Sequence, residues 1–248
     1  GNTVRFASMI GDDDAALTVR ETLVRDNLPT EHVLFALDET PQSVIMYDTD
    51  GKRAIFTDLK TIQDATYPEA TMRELLTDVD MAVLTNINFT RPYLRLAIEL
   101  GIPIATDVHA IGSLDDAYNA DYMAAADVLF MSHEHLPASP EDWLGQVRAR
   151  YGTTVSVVGM GSDGALLGLS DGSITHVPAV TTRPIVNTIG AGDALFSAFV
   201  SDYAQSGDPQ AALRRAVVFA SWKIGVRGGA DGFVDTATLD SLCREVYE

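Results

Sequence analysis

The sequence predicts an α/β fold of three layers, a mostly parallel central sheet flanked by helices on both faces, with a small β-sheet as a lid. Two observations carry this. From Met81 onward, short apolar runs at Met81 to Thr85, Ile104 to Asp107, Val128 to Met131 and Thr154 to Val158 alternate with helix-compatible stretches at Arg91 to Leu100, Leu114 to Ala124 and Pro140 to Arg150. Buried strands joined by helical crossovers are the pattern of parallel sheets covered on both sides. Before this region, an Asp-Gly turn joins two short strand-like runs, the signature of an antiparallel hairpin.

Taken in order, Val4 to Ser8 is a strand candidate, Ala15 to Arg25 has helical spacing through Ala16, Leu17, Arg20, Leu23 and Val24, and Val33 to Leu37 is a second strand. Ser43 to Tyr47 and Arg53 to Thr57 flank Asp48-Thr49-Asp50-Gly51-Lys52, where Asp-Gly tolerates the positive φ angles of a tight turn. After the alternating region, Ala165 to Leu169 and Ile174 to Val177 form a second hairpin across Asp171-Gly172, followed by helices at Ala191 to Ala204, Pro209 to Val226 and Thr236 to Tyr247. No linker, repeat or low-complexity tract interrupts residues 1–248, which read as one domain with lid elements at approximately 33–58.

Composition narrows the function. Hydrophobic residues at 46% supply a core for a 248-residue chain. The formal charge is -18, from 35 acidic and 17 basic residues, with Lys52, Lys60 and Lys223 as the lysines. Such a surface disfavours nucleic acid, whose phosphates need Lys and Arg to replace their counterions, and suits a salt-rich setting. No apolar run approaches membrane-spanning length, so no membrane partner is expected. The single Cys243 excludes an internal disulfide. With no signal-peptide organisation at the N-terminus, the expected location is cytoplasmic.

The most informative stretch is Asn187-Thr188-Ile189-Gly190-Ala191-Gly192-Asp193, running directly into the apolar segment Ala194 to Val200. Gly190 and Gly192 lack a Cβ, so the backbone can approach a ligand closely. A helix beginning near Ala191 would leave its first N–H groups without intrahelical partners, pointing outward at the positive end of the dipole. Gly190, Ala191 and Gly192 then form an anion hole, and Asp193 in the first turn can reach an incoming hydroxyl as a base. A tight turn capped by Asp is the plainer alternative for the same residues.

This stretch resembles the D-T-x-G-A-G-D signature of the ribokinase-like, or PfkB-type, carbohydrate and nucleoside kinases, agreeing at all but the first position. The resemblance continues through Ile10-Gly11-Asp12-Asp13, similar to a V-G-D-D element, and Val158 to Ala165, similar to a T-x-G-x-x-G-A element. It implies a ribokinase-like fold and transfer of the ATP γ-phosphoryl to a hydroxyl of a small sugar or sugar derivative. Asp193 matches the general base, and Gly190, Ala191 and Gly192 the anion hole. Gly159, Gly161 and Gly164, with Ala216, Ala220 and Ser221, match the ATP region, although the small side chains of the last three equally suit helix packing. Asp12, Asp107, Asn187 and Thr188 fall near the substrate or phosphate. Gly159, Gly161 and Gly164 also spell G-x-G-x-x-G, but a strand-like run follows, whereas a dinucleotide fingerprint opens a helix.

The departures are specific. Asn187 replaces the first Asp of the signature and lowers the negative potential near any monovalent cation. The N-x-x-E magnesium element aligns with Ser132-His133-Glu134-His135, leaving Glu134 as the magnesium ligand by a shift of one position, about 100° on a helix. His109 replaces Asn in a D-x-N element at Asp107. Asp107, His109, His133 and His135 read as polar residues at strand ends rather than as a transition-metal set. The family's first strand and Gly-Gly segment would precede Thr3, so the expected natural chain is longer by about one βα unit, because an exposed central strand edge is a liability. A nucleoside kinase and a catalytically weak sugar- or nucleotide-binding homologue are the alternatives. The apolar run Val44 to Tyr47 serves either a homodimeric lid or the subunit's own site.

Overall fold

The computed structural model describes residues 2–47 and 53–248, so the expected turn at Asp48 to Lys52 lies outside the described residues. The chain divides into two compact units, residues 2–77 with 87–93 and residues 78–86 with 94–248.

In the smaller unit, β1 (Ala7–Gly11) pairs in parallel with β2 (His32–Leu37) across α1 (Asp14–Arg25). The strand lies three residues further along than Val4 to Ser8, because Met9 and Ile10 are the side chains that bury whereas Val4 is exposed. Arg5 is used instead as an anchor, donating to the Leu75 carbonyl at 3.0 Å. That carbonyl belongs to α2 (Glu69–Leu76), a helix absent from the sequence reading although Met72, Leu75 and Leu76 lie on one buried face behind Pro68. Between them, β3 (Gln42–Tyr47) and β4 (Arg53–Asp58) form a separate antiparallel pair, as the Asp-Gly signal predicts.

The larger unit holds β5 (Ala82–Val83), α3 (Pro92–Leu100) from Leu94 onward, β6 (Ile104–Ala110), α4 (Ala120–Ala125), β7 (Val128–Ser132), α5 (Pro140–Tyr151), β8 (Val155–Gly159), β9 (Ala165–Leu169), β10 (Ile174–Val177), α6 (Ala191–Ser206), α7 (Pro209–Lys223) and α8 (Thr236–Tyr247). Six strands make one sheet in the order β10-β9-β8-β7-β6-β5, parallel from β5 to β8 and antiparallel at β9 and β10.

Both faces of this sheet are covered, which is why its strands read as continuous apolar runs. Val128, Phe130, Val155, Val157 and Leu167 pack with Phe196, Phe199 and Val200 of α6 and with Leu213 and Val217 of α7. Phe130 meets both Phe196 and Phe199 at ring-centroid distances of 5.1 Å. On β7 the alternate residue Met131 accepts from the Trp143 indole of α5 at 3.2 Å. Burying each large apolar side chain contributes about 1.5–3 kcal/mol.

α4 is shorter than the expected Leu114 to Ala124. The Asp116 carboxylate accepts the amides of Tyr118 and Asn119 at 3.1 and 2.8 Å, and the Ser113 hydroxyl accepts that of Asp115. These local bonds compete with the helix and postpone its start. Among the described residues, no helix is long and apolar enough to cross a membrane.

Candidate active site

The first turn of α6 is built by its own backbone and by the end of α7. The Asn187 side chain accepts the Ile189 amide at 2.8 Å, curling the chain, while the amides of Val186 and Asn187 both donate to the Ile224 carbonyl at 2.9 and 3.0 Å. Asn187 therefore shapes the turn, a task its amide performs without charge. Gly190 follows at φ +73 and forms the N-cap, so the helix opens at Ala191 as the small residues predict.

The backbone amides divide unevenly. Ala191 donates to the Thr188 carbonyl at 3.2 Å and Ala194 to the Gly190 carbonyl at 2.9 Å. For the amides of Gly192 and Asp193, no acceptor is found among the described residues. Both residues are exposed, and a Cβ built on Gly192 meets nothing within 4 Å. An open helix N-terminus of this kind attracts anions through its free N–H groups and its dipole.

Behind the turn lies a group that the sequence reading missed. Lys223, the last residue of α7, is fully buried, and its ammonium donates to the carbonyls of Ile189 and, at 2.6 Å, Gly228. Burial pushes this lysine below its usual range, while the charges of Asp193 and Asp231 pull it back up. A signal was present: only three lysines occur in the chain, and this one closes an apolar helical run in the same region as the signature.

The carboxyl ends of neighbouring parallel strands bring three further sequence elements together, the usual place for ligands in open α/β sheets. Asp107 comes from β6, Ser132 ends β7 and leads into His133 to His135, and Gly159 ends β8 and leads into Gly164. The Asp107 side chain is 15% exposed and accepts the His109 amide at 2.8 Å. Burial pushes its carboxyl above the ordinary range, His109 pulls it down, and the Asp193 charge pushes it up again. Asp107 and Asp193 thus sense each other although they come from opposite parts of the sequence.

Ser132 ends β7 and His133 to His135 form a bend and turn rather than a helix, with the Glu134 amide donating to the Ser132 hydroxyl at 3.1 Å, so the helical angle argued from sequence does not apply there. Glu134 is exposed. His133 places its Nδ1 3.0 Å from the Gly159 carbonyl, tying the two loops.

Gly159 ends β8 and Gly164 begins the return into β9, so the G-x-G-x-x-G spacing opens a hairpin and not a dinucleotide-binding helix. Gly164, at φ +92, is demanded by the fold itself, since a Cβ there would lie 2.1 Å from the Val177 carbonyl. The expected nucleotide residues Ala216, Ala220 and Ser221 lie along α7. Ala216 is fully buried in the sheet–helix core, and the Ser221 hydroxyl accepts the Thr182 amide at 3.0 Å. Ala220 packs partly buried on the same core.

In the smaller unit, Asp12 and Asp13 have separated tasks. Asp13 caps α1 through the Ala16 amide at 2.8 Å and accepts both the amide and the hydroxyl of Thr40, bonds that hold its carboxyl below the ordinary range. Asp12 is exposed.

The sequence profile of the pfkB family carbohydrate kinases matches residues 1–237. The chain belongs to this family. It is an ATP-dependent carbohydrate kinase of ribokinase-like fold. Among its relatives is the ATP-dependent ribose-1-phosphate kinase of Halopiger xanaduensis, 28% identical over 245 residues, covering 96% of this chain and 79% of the relative. The fructosamine kinase FrlD of Bacillus subtilis is 24% identical over 236 residues, covering 92% of this chain and 80% of the relative. Among solved structures, the microbiome-derived acarbose kinase Mak1 superposes with a TM-score of 0.84 at 27% identity, covering 96% of this chain and 80% of that one. The resemblance read from the Asn187 to Asp193 stretch thus extends over nearly the whole kinase chain.

Proposed function

We propose that this kinase transfers the ATP γ-phosphoryl group to a hydroxyl of a small sugar or sugar derivative, with Asp193 as general base. The observation that carries this reading is the exposed Asp193 carboxylate on the first turn of α6, beside the amides of Gly192 and Asp193, which have no acceptor among the described residues. The acceptor oxygen attacks the γ-phosphorus as its proton passes to Asp193, and the bond from that phosphorus to the β,γ-bridging oxygen breaks to release ADP. Charge spreading over the transferring phosphoryl is met by backbone N–H groups fixed before the reaction, so little reorganisation is needed. Ala191 completes the small-residue turn, and Gly190 sets its angle.

ATP is proposed to lie along Gly159, Gly161 and the loop to Gly164, beside the β7 turn. Magnesium fits the donors present: it is commonly held by one or two carboxylates together with substrate phosphates, and Glu134 offers one exposed carboxylate there. When bound it would neutralise phosphate charge. Asp107 is proposed to face the acceptor.

The sugar class is supported by the names of the relatives, which act on ribose 1-phosphate and fructosamine. ADP release measured across ribose 1-phosphate, fructosamine, fructose, 2-deoxyribose, adenosine and inosine tests the proposal. A sugar or sugar phosphate should be turned over preferentially, and an Asp193→Asn variant should bind ATP yet fail to phosphorylate the sugar. Selective turnover of the nucleosides replaces the sugar reading, and undiminished kcat in the variant removes Asp193 as the base.

A further inference from the structure

The resemblance to ribokinase-like enzymes implies a monovalent cation near the signature turn, and the residues present do not fit one. Cations of that kind are held by converging oxygen atoms. Here the Ile189 and Gly228 carbonyls, from the signature turn and from the loop after α7, already receive the Lys223 ammonium. Asn187 stands where the family signature has a carboxylate, and its neutral side-chain oxygen accepts the Ile189 amide. The ammonium also lies close against the turn: a Cβ built on Gly190 would lie 3.2 Å from the Lys223 nitrogen.

A lysine is rarely buried completely, because its charge loses hydration. Lys223 is buried with its ammonium bonded to main-chain oxygens of two loops, at the C-terminal end of α7, where the dipole favours a cation. An ammonium carries the same single charge as a potassium ion and accepts the same carbonyl coordination, but here it is covalently tethered. We propose that Lys223 is a built-in substitute for the monovalent cation, a positioning residue that holds the anion-binding turn and adds positive charge behind it without an exchangeable ion. The loss of the carboxylate at Asn187 follows from this, since a permanent tether needs less negative potential to retain it.

This inference rests on reading the turn as the phosphate site, so its test uses nucleotide binding and melting, which need no sugar. ADP affinity by calorimetry and thermal unfolding are measured in tetramethylammonium chloride and, at equal ionic strength, in potassium chloride. The unaltered protein should show the same values in both. Lys223→Met, which keeps the bulk and removes the charge, should lose on the order of tenfold in ADP affinity, as expected for a charge-assisted contribution. The double variant Asn187→Asp with Lys223→Ser should regain affinity and thermal stability in potassium but not in tetramethylammonium. A potassium-selective gain in the unaltered protein overturns the proposal, as does a double variant indifferent to potassium. If the unaltered protein binds no ADP, the kinase reading fails, and melting alone still decides the cation question. If the double variant does not fold in either salt, the salt response of the unaltered protein decides it.

Discussion

Gly190 faces Gly229 so closely that a Cβ on Gly190 would lie 2.7 Å from the Gly229 carbonyl oxygen, whereas two residues on, Gly192 looks into open space. A side chain would therefore meet different surroundings at the two signature glycines. At φ +73, a side chain on Gly190 costs about 1–2 kcal/mol in backbone strain before the clash is counted. Gly190→Ala should lower the melting temperature and disturb the turn. Gly192→Ala meets no protein atom and gains helix propensity, so stability should hold or rise by up to about 1 kcal/mol. Its methyl group projects where the proposed phosphate sits, and turnover should fall roughly 100-fold, as for loss of an oxyanion donor. Melting curves beside kcat separate the two. Full activity in Gly192→Ala would place the phosphate elsewhere.

Asp193 is exposed, so removing its charge leaves the core of α6, built from Leu195, Phe196 and Phe199, untouched. Asp193→Asn should therefore keep the parent's fold, with a stability change confined to its electrostatic effects on Asp107 and Lys223. Its kcat should drop by about 100- to 10,000-fold, the usual worth of a positioned base, with little change in ATP affinity. Loss of ATP binding in step with loss of turnover would assign Asp193 to nucleotide binding instead.

The signature turn was legible because it is local. Gly190, Ala191 and Gly192 are small for backbone reasons, and backbone reasons act over a few residues. The alternation of strands and crossovers was legible too, since burial on both faces leaves continuous apolar runs such as Val155 to Val158. What sequence reading missed was set by distant partners. Lys223 acquires its meaning only when α7 ends against Ile189, and Ala216 looks the same in a nucleotide pocket as in the core where it lies. The helix at Glu69–Leu76 was missed for another reason: it is eight residues long, too short for its period to stand out.

Asp107 offers a linkage test. Burial and the Asp193 charge raise its carboxyl above the ordinary value of 3.8, against the opposing effect of His109. Between that value and the raised one, the folded protein holds a proton that the unfolded chain has lost. Folding is thus favoured most below 3.8 and penalised as pH rises through the folded value. Asp107→Asn removes the penalty while keeping an oxygen for the His109 amide. Its melting temperature should exceed that of the parent at neutral pH, and the advantage should shrink as the pH falls toward 3.8. An advantage independent of pH would assign the effect to packing rather than to titration. Sugar affinity should fall in the same variant if Asp107 faces the acceptor.

The hairpin of β3 and β4 is apolar on both faces. Val44 pairs with Phe56 on one face and Ile45 with Ile55 on the other, and all four side chains are exposed, with Val44 at 62% and Phe56 at 60%. A two-stranded sheet is marginal alone, and uncovered apolar patches usually mark association. We propose that one of these faces pairs with a second copy of the chain. Two double variants distinguish the faces: Val44→Glu with Phe56→Lys, and Ile45→Glu with Ile55→Lys. Opposite charges across the pair preserve the cross-strand contact while making that face polar. Sedimentation should report a dimer for the parent and a monomer for one of the two variants. A monomeric parent, or dimers in both variants, removes the hairpin as the interface. Loss of sugar affinity without a change in mass would assign that face to the acceptor site instead.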